Sequence, residues 1–425
     1  MAKKHSFFSK IKTGLALLEQ RQWPILTFFC LVNILIFLFV FPSGGPDVEG
    51  YYEYASLTRE GQLPYRDFSL EYPPGAFMVF FLPRLFTSSL EAYGQAFAIE
   101  MLVFNLIGLL GAMKLGQQLG QKCWKTGLLY TLAVLAIGDL VVQRYDLAPA
   151  ALTLLAILFF CQKHYNIAWA FLAIGIMTKL YPAALAPLFF VYQLKYYRWQ
   201  QLIIPIVIFL LVILDMARPF IFIDIDGFIE AFTVQGGRDL QVESVYASFL
   251  LLGQMLGIGT AQVYQGRYSV DVEASLSQPL AQYSFAVTAV CLLITYVFFW
   301  RRQKNTSGNN VSLMVNTSLL VTTILLITSK VFSAQFIIWL LPLIALVDSR
   351  QIIWALFIIT AGLTYYIYPM HYGELMDMQS RLVIILFVRN LLMIAIAILT
   401  ARKIWSRPPS IKLAPPIDDR TSLLA

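Results

Sequence analysis

Long apolar segments alternate with short polar ones along almost the whole chain. A membrane-spanning helix needs about 17–25 mostly apolar residues, and a series of runs reaches or approaches that length. These twelve runs lie at 23–41, 96–115, 126–142, 147–161, 166–178, 183–194, 201–217, 281–299, 311–329, 333–347, 351–368 and 382–400. The pattern predicts an all-α polytopic membrane helix bundle with about 12 transmembrane helices.

Two of these runs, 166–178 and 183–194, are short for membrane spans. They could form one long helix through Lys179, or a re-entrant pair that enters and leaves the membrane on the same side. One long helix would reverse the orientation of every later segment, whereas a re-entrant pair would not. Without the reversal, most basic residues after residue 190 fall in predicted cytosolic loops. This favours the pair, because cytosolic loops carry an excess of Lys and Arg.

The ends of the chain predict its orientation in the membrane. Residues 1–22 are basic and precede an apolar run with no small-residue cleavage site after it, as in an uncleaved signal anchor. We expect a cytosolic N-terminal segment at 1–22, a membrane domain at 23–401 and a disordered cytosolic tail at 402–425. Such a chain would be a multi-pass protein of the cell (inner) membrane, with both termini in the cytosol.

Two long segments, 42–95 and 218–280, would then lie on the outer face. Each contains an apolar stretch, at 76–86 and 245–258, that is too short or too interrupted to span a membrane. Such stretches are typical of helices that lie along the membrane interface. Since the cytosolic connections are short, the sequence predicts that the active site faces outward.

Composition supports a lipid environment and removes several functional classes. The 425 residues are 59% hydrophobic and 13% charged, whereas soluble domains carry about 25% charged residues. The net charge of +7 is an orientation signal, because Lys and Arg gather on the predicted cytosolic side, and it does not indicate nucleic-acid binding. With four cysteines and no Cys-x-x-Cys pair, neither a disulfide framework nor a cysteine-ligated zinc site is expected.

The segment 44–75 carries the densest group of polar and aromatic residues in the predicted outer loops. Asp47 follows the first predicted span and precedes a short amphipathic helix that Gly61 ends. Two prolines, at 73 and 74, then fix an extended entry into the next helix. From the residues alone, Asp47 is either the N-cap of its helix, worth roughly 1 kcal/mol, or a functional carboxylate.

Three groups of motifs give the chain a resemblance to a known family. The first outer segment reads G-x-x-P-Y-x-D-F and then E-Y-P-P-G. The later motifs are QRYDLAPAALTLLA with GIMTKLYPAALAPL, and SKVFSAQFIIWLLPLIAL. In this order they resemble membrane glycosyltransferases of the GT-C type, and most of all glycosyltransferase family 87, the polyprenol-phosphate-mannose-dependent α-mannosyltransferase-like enzymes. The resemblance extends from about residue 23 to 347.

The resemblance implies a GT-C-like fold and a sugar transfer at the outer membrane face. A hexose, mannose by family, would pass from a polyprenyl phosphate to an acceptor hydroxyl with inversion at the anomeric carbon. The acceptor would be a glycan or a lipid-linked molecule. This chemistry needs a base for the acceptor and cations for the leaving phosphate, but no cofactor and no metal. By resemblance the base is Asp47, and whether Glu49 shares its role stays open.

Three cations stand at predicted outer ends of spans, each inside one of the later motifs. By resemblance, Arg144, Lys179 and Lys330 bind the donor phosphate. The alternative is that these side chains only extend to the membrane interface, as Lys and Arg often do, or that Arg144 pairs with Asp146.

Several other polar residues are candidates for sugar binding, since carboxylates and aromatic faces both recognise sugars. Ordinary loop packing is the alternative for each. His371 is the only histidine predicted outside, where it could assist proton transfer or hold the phosphate. The acidic cluster at 224–230 is expected to be a solvated loop rather than a metal site. By resemblance Tyr181 and Gln335 are further contacts, so the substrate-binding candidates are Glu49, Tyr65, Asp67, Glu71, Tyr72, Tyr181, Gln335 and His371.

Two other functional classes fit a polytopic chain. A transporter or lipid flippase could also have twelve spans, but many of these show two similar halves with matching broken helices, and the sequence shows no such repetition. A noncatalytic assembly partner would not need the three motif cations. The sequence therefore predicts an integral membrane hexosyltransferase, with a polytopic transporter or flippase as the alternative.

Overall fold

The computed structural model describes residues 22–304, 311–347 and 352–406, except Tyr268. The predicted cytosolic N-terminal segment up to residue 21 and the predicted tail beyond residue 406 lie outside the described residues. The described chain is almost entirely helical, and its one sheet is a hairpin of two short strands.

The first part of the chain forms a continuous succession of helices with short connections. A 3₁₀ segment, Tyr181–Leu185, precedes the ninth of them. The helices are α1 (Gln22–Phe39), α2 (Pro46–Arg59), α3 (Pro74–Arg84), α4 (Leu90–Gln118), α5 (Cys123–Ile137), α6 (Leu140–Gln143), α7 (Leu147–Cys161), α8 (Tyr165–Thr178), α9 (Ala186–Tyr196), α10 (Gln200–Ile223) and α11 (Ile225–Gly237).

The second part contains the sheet and the remaining helices. A 3₁₀ segment, Ala334–Leu340, runs into α15, and a π-helical turn, Tyr366–Met370, follows α16. The elements are α12 (Val245–Met255), β1 (Ala261–Gln265), β2 (Val270–Ala274), α13 (Ser277–Lys304), α14 (Val311–Thr328), α15 (Leu341–Ile344), α16 (Ile352–Tyr365), α17 (Tyr372–Met376) and α18 (Ser380–Ser406).

Several helices begin at capping residues that the sequence provides. Ser89 accepts a hydrogen bond from the backbone N–H of Ala92, and Ser244 does the same for Ala247. These bonds satisfy amides that the first helical turn leaves unpaired. The start of α4 and the start of α12 are therefore fixed by local sequence, whereas the far ends of the helices depend on packing.

Seven of the described helices are long and apolar enough to cross a membrane: α1, α4, α10, α13, α14, the α16 segment and α18. The shorter apolar helices α5, α7, α8 and α12, and the segment Ala334–Ile344, fall below that length. The chain is thus a multi-pass membrane protein. Each of the twelve predicted runs contains helical residues. By helix length and composition, however, the described residues contain seven candidate spans. The last helix also continues to Ser406, past the predicted boundary at residue 401.

The short helices α8 and α9 double back on each other instead of forming one long helix. The Tyr165 hydroxyl at the start of α8 donates to the Tyr197 hydroxyl after the end of α9, at 2.8 Å. Trp169 Nε1 donates to Gln193 Oε1 at 2.7 Å, one turn further in. The turn of this hairpin is at Lys179, where the backbone is extended. A single long helix through Lys179 is therefore excluded, and the pair favoured by the basic residues is the arrangement found.

Helices α10 and α13 leave most of their apolar side chains exposed, while α14 is largely buried among its neighbours. Exposed apolar faces on long helices are expected where lipid is the solvent. Inside the bundle, buried amides join helices: Asn33 Nδ2 donates to Thr131 Oγ1 at 2.9 Å, and Asn105 Nδ2 donates to Asn33 Oδ1 at 3.0 Å. These bonds link α1, α4 and α5. The amides lie inside the bundle because a polar group facing lipid would have no hydrogen-bond partner.

One end of the bundle is covered by the two long segments 42–95 and 218–280, and we call it the loop end. The apolar stretches predicted to form short helices there are α3 and α12. The first segment packs against the end of α10 and α11 through Tyr65, Phe77 and Phe220. The second forms its own apolar cluster with the start of α18. The β-hairpin within this second segment was not predicted.

Candidate functional site

A cavity of about 530 Å³ lies at the loop end. Its wall comes from the start of α2, the loop before α3, the breaks that follow α6 and α8, the loop before α12 and the segment after α14. In a membrane protein, irregular backbone is tolerated where it lines a cavity. The site is therefore built where helices are interrupted, and its polar groups come from those interruptions.

Asp47 is the second residue of α2 and does not cap it. The N-cap is Gly45, whose φ of 135° favours glycine, and no side chain caps this helix. The Asp47 carboxylate instead forms an ion pair with the Arg144 guanidinium, and it lines the cavity. The N-cap interpretation of Asp47 is therefore wrong.

Arg144 occupies the break between α6 and α7, where its extended backbone interrupts the helical path. Besides the Asp47 carboxylate, its guanidinium reaches Tyr368: Nη2 donates to the Tyr368 hydroxyl at 2.6 Å. Its Nε is buried without a hydrogen-bond partner in the described residues. The guanidinium thus joins the start of α2 to the π-helical turn, and the alternative pairing with Asp146 is not formed.

Lys179 lies at the turn between α8 and the 3₁₀ segment, and its ammonium is held by Asp146. Lys179 Nζ is 2.6 Å from Asp146 Oδ1, and Trp339 Nε1 donates to the same oxygen at 2.6 Å. The ammonium also lies 4.4 Å from the centre of the Tyr145 ring and 5.0 Å from that of Phe336. Aromatic faces attract a cation, so Lys179 is fixed by rings as well as by a carboxylate.

The Asp47 carboxylate and the two cations therefore share one part of the cavity wall, and the buried Asp146 carboxylate supports Lys179 from behind it. Burial raises the pKa of the Asp47 carboxyl above its usual value, although the nearby Arg144 charge acts in the opposite direction. Burial lowers the pKa of the Lys179 ammonium, while Asp146 counteracts the change. A carboxylate with increased proton affinity beside two fixed cations suits general-base catalysis and stabilisation of an anionic leaving group.

Four of the predicted substrate-binding residues line this cavity as well: Glu71, Tyr72, Tyr181 and Gln335. Burial raises the pKa of the Glu71 carboxyl. The Tyr181 ring stacks on the Trp339 ring with centres 4.2 Å apart. The cavity therefore offers a carboxylate, an amide and aromatic surfaces beside the Asp47–Arg144 pair.

Three other predicted residues in the first outer segment lie off the cavity wall. Glu49 is exposed on α2. The buried Tyr65 donates its hydroxyl to the Tyr72 carbonyl at 2.6 Å, so it supports the loop that carries Tyr72. Asp67 accepts from the Leu63 N–H at 2.7 Å and closes a turn.

Lys330 and His371 also have local partners. Lys330 Nζ donates to the carbonyls of Gly236, at 2.7 Å, and Arg238, at 2.5 Å. It therefore holds the end of α11 and lines a second cavity rather than the first. His371 Nδ1 is 2.9 Å from the Tyr366 carbonyl, in the turn that precedes α17.

Sequence reasoning overlooked several residues that build this site. Trp339 and Tyr368 help to hold the two cations, and Glu243 lines the cavity from the loop before α12. Asp146 had been considered only as a partner of Arg144, whereas it pairs with Lys179. Asp146 and Trp339 belong to the motifs quoted above, so their position in these motifs could have identified them as site residues. Nothing in the local sequence distinguishes Tyr368 or Glu243 from the other outer-loop residues.

The second cavity, of about 930 Å³, adjoins the first and shares six lining residues with it: Leu180, Tyr181, Arg238, Val331, Phe336 and Trp339. Much of its lining is apolar, with Phe285 and Leu292 supplied by α13. Because α13 exposes most of its surface, this cavity lies beside a lipid-facing helix. A chamber with charged groups and a mainly apolar one thus lie side by side and share part of their walls.

Among the acidic residues near α11, Asp224 caps the N-terminus of that helix. Asp224 accepts hydrogen bonds from the backbone N–H groups of Asp226, at 2.9 Å, and Gly227, at 3.0 Å. Across the described residues, no three His, Cys, Asp or Glu side chains come together in a group that could hold a metal ion. The structure therefore assigns Asp224 a capping role.

Comparison with known proteins identifies the fold. No family model and no curated protein matches the chain. Its structure is similar to the crystal structure of ArnT from Cupriavidus metallidurans in the apo state, a GT-C glycosyltransferase. The TM-score is 0.50 at 12% sequence identity, and the match covers 91% of this chain and 78% of that chain. The chain has a GT-C-like fold.

The GT-C-like fold confirms the predicted fold class, an all-α polytopic membrane bundle. It also agrees with the motif resemblance at the level of the GT-C type. Membership in glycosyltransferase family 87, and with it the choice of mannose, stays a prediction.

Proposed function

We propose that this protein is a membrane glycosyltransferase that moves a hexose, mannose by its resemblance to family 87, from a polyprenyl phosphate to an acceptor hydroxyl. The observation that carries the proposal is the Asp47–Arg144 ion pair, which lies with Lys179 in one cavity of a GT-C-like fold. The loop end would face outward from the cell (inner) membrane, with the chain termini in the cytosol.

In this reaction Asp47 is the general base. Its carboxylate takes the proton of the acceptor hydroxyl while that oxygen attacks the anomeric carbon of the donor sugar. The bond between the anomeric carbon and the phosphate oxygen breaks, and the polyprenyl phosphate leaves with the bonding electrons. A direct displacement of this kind inverts the anomeric centre. The burial that raises the pKa of Asp47 makes it a stronger base than an exposed aspartate.

Arg144 and Lys179 would neutralise the negative charge that grows on the departing phosphate. Cations fixed before the reaction lower its barrier because they need no rearrangement when the charge develops. Arg144 Nε is buried without a partner in the described residues, so it retains a donor for a phosphate oxygen. The adjoining apolar cavity of about 930 Å³ would hold the first part of the prenyl chain, with Lys330 at its wall contacting the phosphate region.

The remaining candidates divide by their position. Glu71, Tyr72, Tyr181 and Gln335 line the cavity and would bind the transferred sugar. Tyr65 would act through Tyr72, whose carbonyl it binds. A direct substrate contact for Glu49, Asp67 and His371 would require movement of the helix or turn that carries each of them, because none of the three lines the cavity.

Substitution of the proposed base tests this function. We expect Asp47→Asn to bind a radiolabelled polyprenyl-phosphate mannose with unchanged affinity while transfer falls by about 10²-fold or more, since loss of a general base typically costs 10²–10⁴-fold. The matched control is Glu53→Gln, an exposed residue of the same helix. Wild-type transfer by Asp47→Asn would remove the base assignment. Movement of labelled lipid across liposomes without sugar transfer would instead favour a flippase.

A further inference from the structure

A third carboxylate, besides those of Asp47 and Glu71, lines the cavity from a part of the chain that the reaction above does not use. Glu243 lies in the loop before α12 and lines the same cavity as Asp47, Arg144 and Lys179. Only 4% of its surface is exposed. A carboxyl group buried to this extent requires defined partners, because an isolated buried charge is costly.

The backbone at Glu243 is clamped by two consecutive side chains of α18. Arg389 Nη1 donates to the Glu243 carbonyl at 3.2 Å. Asn390 Nδ2 donates to the carbonyls of Glu243, at 3.3 Å, and Ser244, at 3.1 Å. Arg389 and Asn390 are themselves 1% exposed. Because a membrane helix rarely buries an arginine without a role, this clamp indicates that the position of Glu243 matters.

The Glu243 carboxylate is held but not saturated by neighbouring donors. Gln241 Nε2 lies 3.3 Å from Glu243 Oε2, and the backbone N–H of Ala334 also donates to the carboxylate. A carboxylate has about four lone-pair positions, so these two donors leave capacity for a ligand. Polar side chains of Gln265 and Ser269, from the β-hairpin, line the same cavity.

We propose that Glu243 is an acceptor-binding residue whose carboxylate accepts a hydrogen bond from one hydroxyl of the acceptor while another hydroxyl is presented to Asp47. The inference rests on the proposed function and names a substrate class, an acceptor with at least two hydroxyls such as a sugar. Two carboxylates in one cavity can each accept from one hydroxyl of such a pair. A simple alcohol would leave Glu243 without its ligand, and a buried group left without its ligand lowers affinity.

Acceptor kinetics with the full-length protein test the proposal. The donor is radiolabelled polyprenyl-phosphate mannose, and the acceptors are octyl α-mannopyranoside and 1-octanol. We expect Glu243→Gln to raise the KM for octyl mannoside about tenfold or more, as for loss of a hydrogen bond to a charged group, with the donor KM unchanged. Glu243→Asp should recover part of the affinity. The control is Glu273→Gln, an exposed residue of β2, which should behave as wild type.

A pH profile separates this role from a purely structural one. Burial raises the pKa of Glu243 to about 7, although the charges of Arg389 and Arg144 lower it. The Glu243 charge also interacts with the hydroxyl groups of Tyr368 and Tyr372. The carboxylate forms as pH rises through about 7. The kcat/KM for octyl mannoside should therefore rise there in the wild type, and this step should vanish in Glu243→Gln.

The outcomes are distinguishable. If the wild type transfers no sugar to octyl mannoside, the proposed function fails and this inference with it. If the wild type is active but Glu243→Gln keeps its acceptor KM and its step near pH 7, only this inference is overturned. Equal use of 1-octanol and octyl mannoside by the wild type would also overturn it. If Glu243→Gln does not fold, Glu243→Asp decides, since its shorter side chain must raise the acceptor KM.

Discussion

At the scale of single residues, four charged side chains in and behind the cavity wall form two ion pairs, which stabilise the fold little by themselves. A buried ion pair is often no more stabilising than apolar residues of similar size, so the Asp47–Arg144 and Lys179–Asp146 pairs are better explained by function. Removing one partner is different, because it leaves the other charge buried and uncompensated. The loss in the free energy of unfolding when one partner is removed should therefore increase with the burial of the pair.

Asp146→Asn should destabilise the protein strongly. Asp146 is 1% exposed and accepts from both Lys179 and Trp339, so its neutral form loses the charge that holds Lys179. We expect a loss of about 3–5 kcal/mol in the free energy of unfolding, measured by chemical denaturation in detergent. Asp215→Asn is the control, because its pair with Arg218 is exposed and 3.7 Å long, worth about 0–1 kcal/mol. Equal losses in the two variants would contradict the account.

Sequence could propose the charged residues of the site but not their pairing. Asp47, Arg144 and Lys179 were identified from motifs that contain them. The local alternatives, an N-cap for Asp47 and an Asp146 partner for Arg144, were both wrong because contacts between distant segments replaced them. Glu243 was missed for the same reason, since its significance comes from α18.

At the scale of elements, the site depends on helices that stop early and on loops that approach them closely. The turn at Lys179 packs against the start of α3, where Gly75 is the contact. A Cβ atom on Gly75 would lie 2.6 Å from the Met177 carbonyl oxygen and 2.9 Å from the Thr178 nitrogen. Both are backbone atoms, which cannot rotate away. Glycine at position 75 therefore allows the first outer segment to reach the turn that carries Lys179.

Gly75→Ala should disturb stability and transfer together. The added methyl group must push α3 away from α8, at a cost of about 1–3 kcal/mol typical of overpacking, and it should displace Lys179 from its position in the cavity. Thermal unfolding and the transfer rate from polyprenyl-phosphate mannose measure the two effects. Gly50→Ala is the control, because nothing lies within 4 Å of a Cβ there. A Gly75→Ala protein as stable and active as the control would refute the proposed contact.

Helices were predicted well where a long apolar run marks them, and other secondary-structure elements were predicted less well. The apolar runs located the helices, and the distribution of basic residues anticipated the α8–α9 hairpin. The β-hairpin at 261–274 has only two five-residue strands, and its buried residues include the polar Asp271 as well as Val270 and Val272. Its pairing depends on tertiary contacts that sequence periodicity does not record.

At the scale of the whole molecule, a GT-C-like bundle places a polar cavity directly beside an apolar one. The first holds Asp47, Arg144 and Lys179, and the second borders the lipid-facing helix α13. This arrangement suits a substrate with a charged head and a long apolar chain. A soluble sugar nucleotide would have no use for the apolar cavity.

The central claim is therefore that one polyprenyl-phosphate sugar occupies both cavities at once. Its most direct test is a cryo-EM structure of the protein in lipid nanodiscs with polyprenyl-phosphate mannose, using the inactive Asp47→Asn variant to prevent turnover. The account predicts the phosphate within hydrogen-bonding distance of Arg144 and Lys179, the sugar beside residue 47, and the first isoprene units against Phe285 and Leu292. A donor bound elsewhere, with both cavities empty of it, would contradict the account.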